Sequence, residues 1–342
     1  MNAKKPALSK RERRRGIVAF VGLIVLAMLA CKSDKGASTK GALRVAVIPK
    51  GTTHEFWKSV HAGAAKAASE LGLEIIWKGP LREDDLKAQI DVVQSFTAQG
   101  VSGMVVAPLS DKGLVSAVHQ AVDAKIPVVI FDSDLQGHDH VSFVATDNFA
   151  AGKIAGQEMV RLLGGKGSVV VLRYNEGSAS TTNRENGFLD VVKKTPGIQV
   201  VSDNQYGGAT TETAHSTSEN LLSATKAGAG GVDGIFCPNE STTFGMLLAL
   251  QKSGLAGKMR FIGFDSSAKL VEGLRQGHID GLVLQNPFKM GYLALQTMNR
   301  HLKGEKVEAR IDTGATLVTK QNLDQPDIRE LVLPDLGKWV KE

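Results

Sequence analysis

From Leu43 to Leu302 the chain alternates short unbroken apolar runs with longer segments of helical period, and that rhythm admits few folds. Leu43–Ile48, Leu73–Trp77, Val101–Ala107, Pro127–Phe131 and Phe143–Ala145 read as strands. Between them the pattern predicts helices over His54–Leu71, Glu83–Gln99 and Leu114–Ala124, the first with Phe56, Val60, Ala64, Ala67 and Leu71 near helical spacing. The rhythm restarts at Asp147. Helices over Asn148–Leu163, Arg184–Lys194, Thr213–Lys226, Thr242–Lys252 and Phe288–Leu302 then alternate with strands at Ser168–Leu172, Ile198–Val201, Val232–Phe236, Arg260–Phe264 and Ile279–Leu284. Strands that are apolar throughout, instead of alternating, imply a parallel sheet covered on both faces.

Two strands echo each other. Val128–Ser133 and Arg260–Ser266 both end in Phe-Asp-Ser. The expected fold is therefore α/β, two doubly wound parallel-sheet lobes on one plan, joined by a three-segment hinge near Thr146–Asp147, Gln285–Asn286 and Thr313–Ala315. In open α/β sheets ligands sit beyond the C-terminal strand ends, so two facing lobes make a cleft.

Charge placement narrows function further. The formal net charge of +6 invites a nucleic-acid reading, but the first thirty residues hold seven basic side chains and one acidic. From Cys31 on, basic and acidic residues balance at 34 each, so no basic nucleic-acid footprint remains. Residues 1–15 are basic, and Ile17–Ala30 is an uncharged, mostly apolar run of 14, too short for a comfortable span of roughly 20 residues. Together they have the plan of an export signal. The run ends Ala30-Cys31, which resembles a lipobox, making Cys31 the expected lipidation site; simple cleavage after Ala30 and an uncleaved anchor are the alternatives. Residues 31–42 are small and polar, a flexible tether. The expected divisions are a signal peptide over 1–30, a tether over 31–42, an N-terminal lobe of 43–146 plus 286–313, and a C-terminal lobe of 147–285 plus 314–342. Cys237 follows an apolar run and reads as a buried core thiol.

The polar groups just past the strands are Lys50, His54, Phe56 and Trp57; Asp132, Ser133 and Asp134; Arg173, Tyr174, Asn175 and, leading into its helix, Arg184; Asn239 and Glu240; Asp265; and Gln285 and Asn286. They hold carboxylates, amides, cations and an aromatic pair, and no obvious nucleophile–base pair. Such a mixture suits a neutral polyol, whose hydroxyls both donate and accept and whose C–H face packs on an aromatic ring. Each residue also has a plain structural role open to it: a strand-end Asp can be a helix cap, and Phe56 can be core. The His138-Asp139-His140 cluster sits in a polar turn, and Asp132-x-Asp134 lacks the Glu that would complete a calcium loop. No metal and no cofactor are expected.

Several segments carry a specific resemblance: Ala46-Val47-Ile48-Pro49 followed by His54-Glu55-Phe56-Trp57; Pro127 to Asp132; Ala145-Thr146-Asp147-Asn148 with Gly152 to Gly156; Arg184 to Phe188; Phe236 to Glu240; Ile262 to Asp265; and Gly304 to Val307. With them the chain resembles type I periplasmic sugar-binding proteins, the ribose/galactose-binding branch of ABC transporters, in a lipoprotein form. The resemblance implies that Phe56 and Trp57 stack on a sugar. It places Asp132 and Asp265 as the two carboxylates, Arg184 as the sugar-binding cation, Asn239 as the amide, Gln285 as the polar group at the last crossover and Tyr206 as a second aromatic wall. Lys50 and His54 join this ligand-binding set from the strand ends. The implied partners are a monosaccharide or similar polar ligand, an ABC permease in the inner membrane, and the membrane itself through the lipid anchor. A monomer in the periplasm or cell envelope is expected, with no enzymatic activity. The alternative is a sensor of a sugar or autoinducer-like signal that presents its closed form to a membrane receptor.

Overall fold

The computed structural model describes residues 43–340; the leader, Cys31 and the tether lie outside the described residues. The first sheet has six strands in the order β11-β5-β4-β3-β1-β2, all neighbours parallel. Its strands are β1 (Arg44–Ile48), β2 (Glu74–Trp77), β3 (Gly103–Val106), β4 (Val128–Phe131), β5 (Ser142–Ala145) and β11 (Arg310–Asp312). The second follows the matching order β12-β10-β9-β8-β6-β7. It comprises β6 (Lys166–Arg173), β7 (Gly197–Tyr206), β8 (Gly234–Phe236), β9 (Arg260–Phe264), β10 (Gly281–Gln285) and β12 (Ala315–Val318), the last antiparallel to β10. The central strands are buried along most of their length, which is why they read as unbroken apolar runs.

Helices cover both faces of each sheet, and four apolar clusters fill the four interfaces. In the first lobe α1 (Glu55–Leu71), α2 (Leu86–Gln99) and α3 (Val115–Asp123) follow β1, β2 and β3. In the second, α5 (Ala179–Lys193), α6 (Thr211–Ala224), α7 (Glu240–Lys252) and α8 (Ala268–Gln276) follow β6, β7, β8 and β9. The chain changes sheet between β5 and β6, between β10 and β11, and between β11 and β12. Two crossover helices, α4 (Asn148–Leu163) and α9 (Pro287–Leu302), lead away from the first two changes. The last helix, α10 (Pro326–Val332), buries Ile328 and Val332 in the second lobe. Among the described residues no helix is long and apolar enough to cross a membrane.

Each crossover helix packs against the helix that begins its lobe, and glycine makes the approach possible. A Cβ on Gly63 of α1 would stand 1.9 Å from the Phe288 carbonyl oxygen, and one on Gly291 of α9 would stand 2.1 Å from that of Val60. Gly152 of α4 and Gly187 of α5 repeat the arrangement, at 2.0 Å from the Arg184 oxygen and 2.1 Å from that of Phe149. Only residues without a side chain fit such backbone contact. These two close pairs fix α1, which carries Phe56 and Trp57, and α5, which carries Arg184.

Three boundaries differ from the sequence expectation by three residues or more. Helix α5 begins at Ala179, so Arg184 lies inside it and not at its start. Strand β7 runs on to Tyr206 instead of ending near Val201, because pairing with the long β6 continues through register irregularities. Helix α2 begins at Leu86, where Asp85 accepts a hydrogen bond from the Ala88 amide, and this leaves Glu83 in the preceding loop.

Candidate functional site

The C-terminal strand ends of the two sheets meet. Lys50, His54, Phe56, Trp57, Asp132, Arg184, Asn239, Asp265 and Gln285 line one cavity, together with Glu83, Tyr174, Ser180, Thr181 and Glu240. Asp132 and Asp265 terminate β4 and β9, and both hold the left-handed backbone conformation, φ of 60° and 63°. That conformation is strained for a residue with a Cβ and clusters at functional sites. The echoed Phe-Asp-Ser ends thus place one carboxylate per lobe in the same unusual geometry.

The charges around these carboxylates are buried and paired. Lys50, 3% exposed, lies 3.0 Å from Asp132 Oδ2 and donates to Ser180 Oγ at 2.9 Å, across to the second lobe. Arg184 Nε donates to Asn148 Oδ1 at 2.8 Å and its Nη1 to the Pro238 carbonyl at 2.9 Å. The guanidinium covers the Phe264 ring at 4.7 Å and stands 3.9 Å from Asp265 Oδ2. Burial raises the Asp265 carboxyl above its ordinary range, against the pull of Arg184 and of a 2.9 Å hydrogen bond from Gln285 Nε2. The other end of that amide, Gln285 Oε1, is buried with no hydrogen-bond partner, an acceptor awaiting a donor.

Glu83 is the hub that strand-end reasoning did not single out. Its carboxylate lies 2.6 Å from His54 Nδ1 and accepts hydrogen bonds from Trp57 Nε1 at 2.6 Å and from Tyr174 Oη at 2.8 Å. Burial opposes the charge on His54, yet Glu83 outweighs it and holds the imidazole up at about 9. Burial likewise opposes the charge on Glu83, while His54, Lys50 and the Trp57 N–H draw it down to about 2. The pair is ionised at neutral pH. Glu240, in the first turn of α7, reaches across to accept from the Phe56 amide at 3.3 Å, and burial raises it to about 7. Helix α1 has no side-chain cap from its own His54, so an opposing-lobe carboxylate sits at its N-terminus.

The aromatic pair is held rigidly: Phe56 and Trp57 meet edge to face at 4.9 Å, and Trp57 meets Phe131 at 6.1 Å. Asn239 lines the cavity, but its side chain also caps α7, accepting from the Thr242 amide at 3.3 Å. Tyr206 is a correction. It is 45% exposed at the end of the edge strand, with Arg173 over its ring at 6.0 Å, and lines a groove on another flank of the lobe contact. The long edge strand carries it past the cleft. Tyr174, only 1% exposed, is the second-lobe aromatic of the cavity. Cys237 is fully buried, and burial pushes its thiol well up.

The inner cavity has a volume of about 30 Å³, room for one or two waters, because the lobes meet directly around it. Ser180 N–H donates to Ser133 Oγ at 3.1 Å and Asp111 N–H to the Gly177 carbonyl at 3.0 Å across the seam. Anything larger than a few atoms enters this space only when the lobes part. Among the described residues no cluster of His, Cys, Asp and Glu has the arrangement of a metal site.

A family profile described as "Periplasmic binding protein domain" matches residues 45–306. The chain belongs to the periplasmic binding protein family. The ribose import binding protein of Haemophilus influenzae is 28% identical over 86% of this chain and 97% of its own. A carbohydrate-transporter solute-binding protein from Agrobacterium radiobacter, solved in complex with D-arabinose, is 34% identical over 86% of this chain and 100% of that one, with a TM-score of 0.82. An ABC-transporter solute-binding protein from Agrobacterium vitis, solved with bound D-fucose, is 35% identical over 85% and 100%, with a TM-score of 0.81. Members of this family bind solutes for transport and are not enzymes.

Proposed function

We propose that this chain is the extracytoplasmic binding subunit of a sugar ABC importer, taking a monosaccharide or closely related polyol between its lobes and delivering it to a permease. The observation that carries this reading is the matched pair Asp132 and Asp265, one strained carboxylate per lobe, facing a common cavity. Sugar hydroxyls donate to these carboxylates and to the unpartnered Gln285 Oε1, and accept from Arg184 and Lys50. Phe56 and Trp57 supply a face for the ring's C–H surface. The ligand takes over contacts that the lobes otherwise make with each other, such as Lys50 to Ser180, and so favours the closed form it completes.

The relatives named above support the substrate class, and membership of a periplasmic binding protein family suits an export leader. Lipidation at Cys31 would tether the folded part by residues 31–42 to a membrane, and a monomer suffices for the whole site. Cys31→Ser should release the mature protein from the membrane fraction.

A thermal-shift screen over pentoses, hexoses and polyols identifies the ligand, and scattering then reads closure. The radius of gyration should fall on saturation, and Asp132→Ala or Asp265→Ala should abolish the thermal shift. Full affinity in both variants would refute this site.

A further inference from the structure

The described chain does not end in the second lobe. Helix α10 is seated there. Ile328 and Val332 are buried in its apolar cluster, Arg275 pairs with Asp324 at 2.9 Å, and Ser266 Oγ, one residue past the strained Asp265, donates to the Val332 carbonyl at 3.2 Å. Beyond Val332 the chain crosses the seam. Leu333, Pro334 and Leu336 line a groove that Glu55 and Ser59 of the first lobe also line. Leu336 and Val340 then share a pocket with Trp57, His61 and Trp77, all of the first lobe. Trp339 lies beside α1: Lys66 Nζ stands 5.7 Å from its ring and 4.7 Å from that of Tyr292 on α9.

The two ends of this segment are held differently. The second-lobe end continues a packed helix. The first-lobe end rests on half-buried Leu336, Trp339 and Val340 and on a cation beside a ring, which is a weak contact at an exposed site. Leu333, between the ends, is 58% exposed. Such a link can break and re-form, unlike the three covalent crossovers of the hinge. It is also short. From Val332 to Trp339 the backbone reaches at most ~25 Å when fully extended. A turn shortens it further, with the Trp339 and Val340 amides donating to the Leu336 carbonyl at 3.0 and 3.1 Å. Parting the lobes separates the two ends, so opening must undo this turn or lift Trp339 from α1. Trp57 borders both the inner cavity and the pocket that receives Leu336 and Val340, so the docked segment backs the aromatic platform.

We propose that residues 333–340 form a strap that docks on the first lobe when the lobes close, and so stabilises the closed form. A contact made in one of two states shifts the population towards that state by its whole strength. The strap goes beyond the sugar-binding reading and does not depend on it. Where a monosaccharide is held between the lobes, the strap slows its escape.

The test breaks the strap in one variant and locks it in another. Trp339→Ala removes the first-lobe anchor. Lys66→Cys with Trp339→Cys, bridged by a short bismaleimide, fixes it. The mature chain carries Cys31→Ser, and Cys237 is fully buried, so the introduced pair holds the accessible thiols. By scattering without ligand, the bridged protein should have a smaller radius of gyration than Trp339→Ala. Equal values would overturn the proposal. Stopped-flow mixing with a monosaccharide found by the thermal-shift screen should show association at least ten-fold slower with the bridge than in the unbridged pair. Trp339→Ala should release the sugar three-fold or more faster than wild type. Equal association with and without the bridge would overturn the strap. So would an unchanged release rate in Trp339→Ala, even with a lowered melting temperature, since that outcome makes the tail packing alone. If no sugar binds, the sugar-binding reading falls and the scattering comparison by itself decides the strap.

Discussion

Glu83→Gln isolates the charge at the centre of the site from its shape. The glutamine keeps its oxygen for Trp57 Nε1 and His54 Nδ1, which share Oε1, and its amide replaces Oε2 and donates to the Tyr174 oxygen, so the three contacts survive with the last one reversed. What disappears is the ion pair. The rise of His54 from 6.5 to about 9 corresponds to ~3 kcal/mol of folded-state stabilisation. The depression of Glu83 is the other side of the same coupling and is counted once. A raised folded-state pKa on a base means that this contribution is complete below pH 6.5 and lost as pH rises through about 9. Roughly 2–3 kcal/mol therefore remains at pH 7. Urea denaturation followed by circular dichroism, at pH 6, 7, 8 and 9.5, should show Glu83→Gln less stable by about that amount at pH 7. The gap should widen at pH 6, where the variant must also bury a histidine that burial prefers neutral, and close towards pH 9.5. Tyr174→Phe is the control: it removes one hydrogen bond to a charged acceptor, ~1.5–3 kcal/mol, with little change across this range. A gap for Glu83→Gln below about 0.5 kcal/mol at pH 7, or one that is constant from pH 6 to 9.5, would refute the reasoning, since mutation of an unperturbed surface acid gives that much.

Glu240 titrates in the same direction, over a lower pH range. Its carboxyl is raised from 4.5 to about 7, so its contribution is complete below pH 4.5 and lost as pH rises through about 7, by up to ~3 kcal/mol. Glu240→Gln keeps an acceptor for the Phe56 amide and should flatten the stability profile between pH 4.5 and 7; a profile as steep as wild type would count against the raised carboxyl. Gly152→Ala tests the helix contact that positions Arg184. Its new Cβ meets the Arg184 carbonyl oxygen at 2.0 Å, and the forced separation of α4 from α5 should cost ~1–3 kcal/mol and weaken sugar binding, although Gly152 is not among the residues lining the cavity. Calorimetry with an unchanged dissociation constant would show that α5 adjusts without moving its guanidinium.

The rhythm of apolar runs revealed the two-sheet α/β plan because the strands are buried on both faces and each helix shows one face to its own sheet. The same logic located Asp132 and Asp265, for a strand end in a doubly wound sheet points at the cleft wherever the other lobe lies. Glu83 escapes local reading because it follows Gly79-Pro80-Leu81-Arg82 and opens a helical pattern, where a glutamate is an ordinary first-turn acid. What buries it is Tyr174, 91 positions away and in the other lobe. Lys50 and Ser180 are 130 positions apart, and Phe56 and Glu240 184. Local period decides which face of an element is buried within its lobe. It carries no signal for contacts that exist only when two lobes meet, and those contacts select which strand-end groups line the cavity. Asn239 shows the point from the other side: at a strand end, it lines the cavity, yet much of its side chain is occupied in capping α7. Tyr206 entered through the resemblance alone, beyond a strand expected to end near Val201; the edge strand runs on to it and carries it past the cleft. The strand-end rule therefore finds the cleft, and the pairing across the seam decides its chemistry.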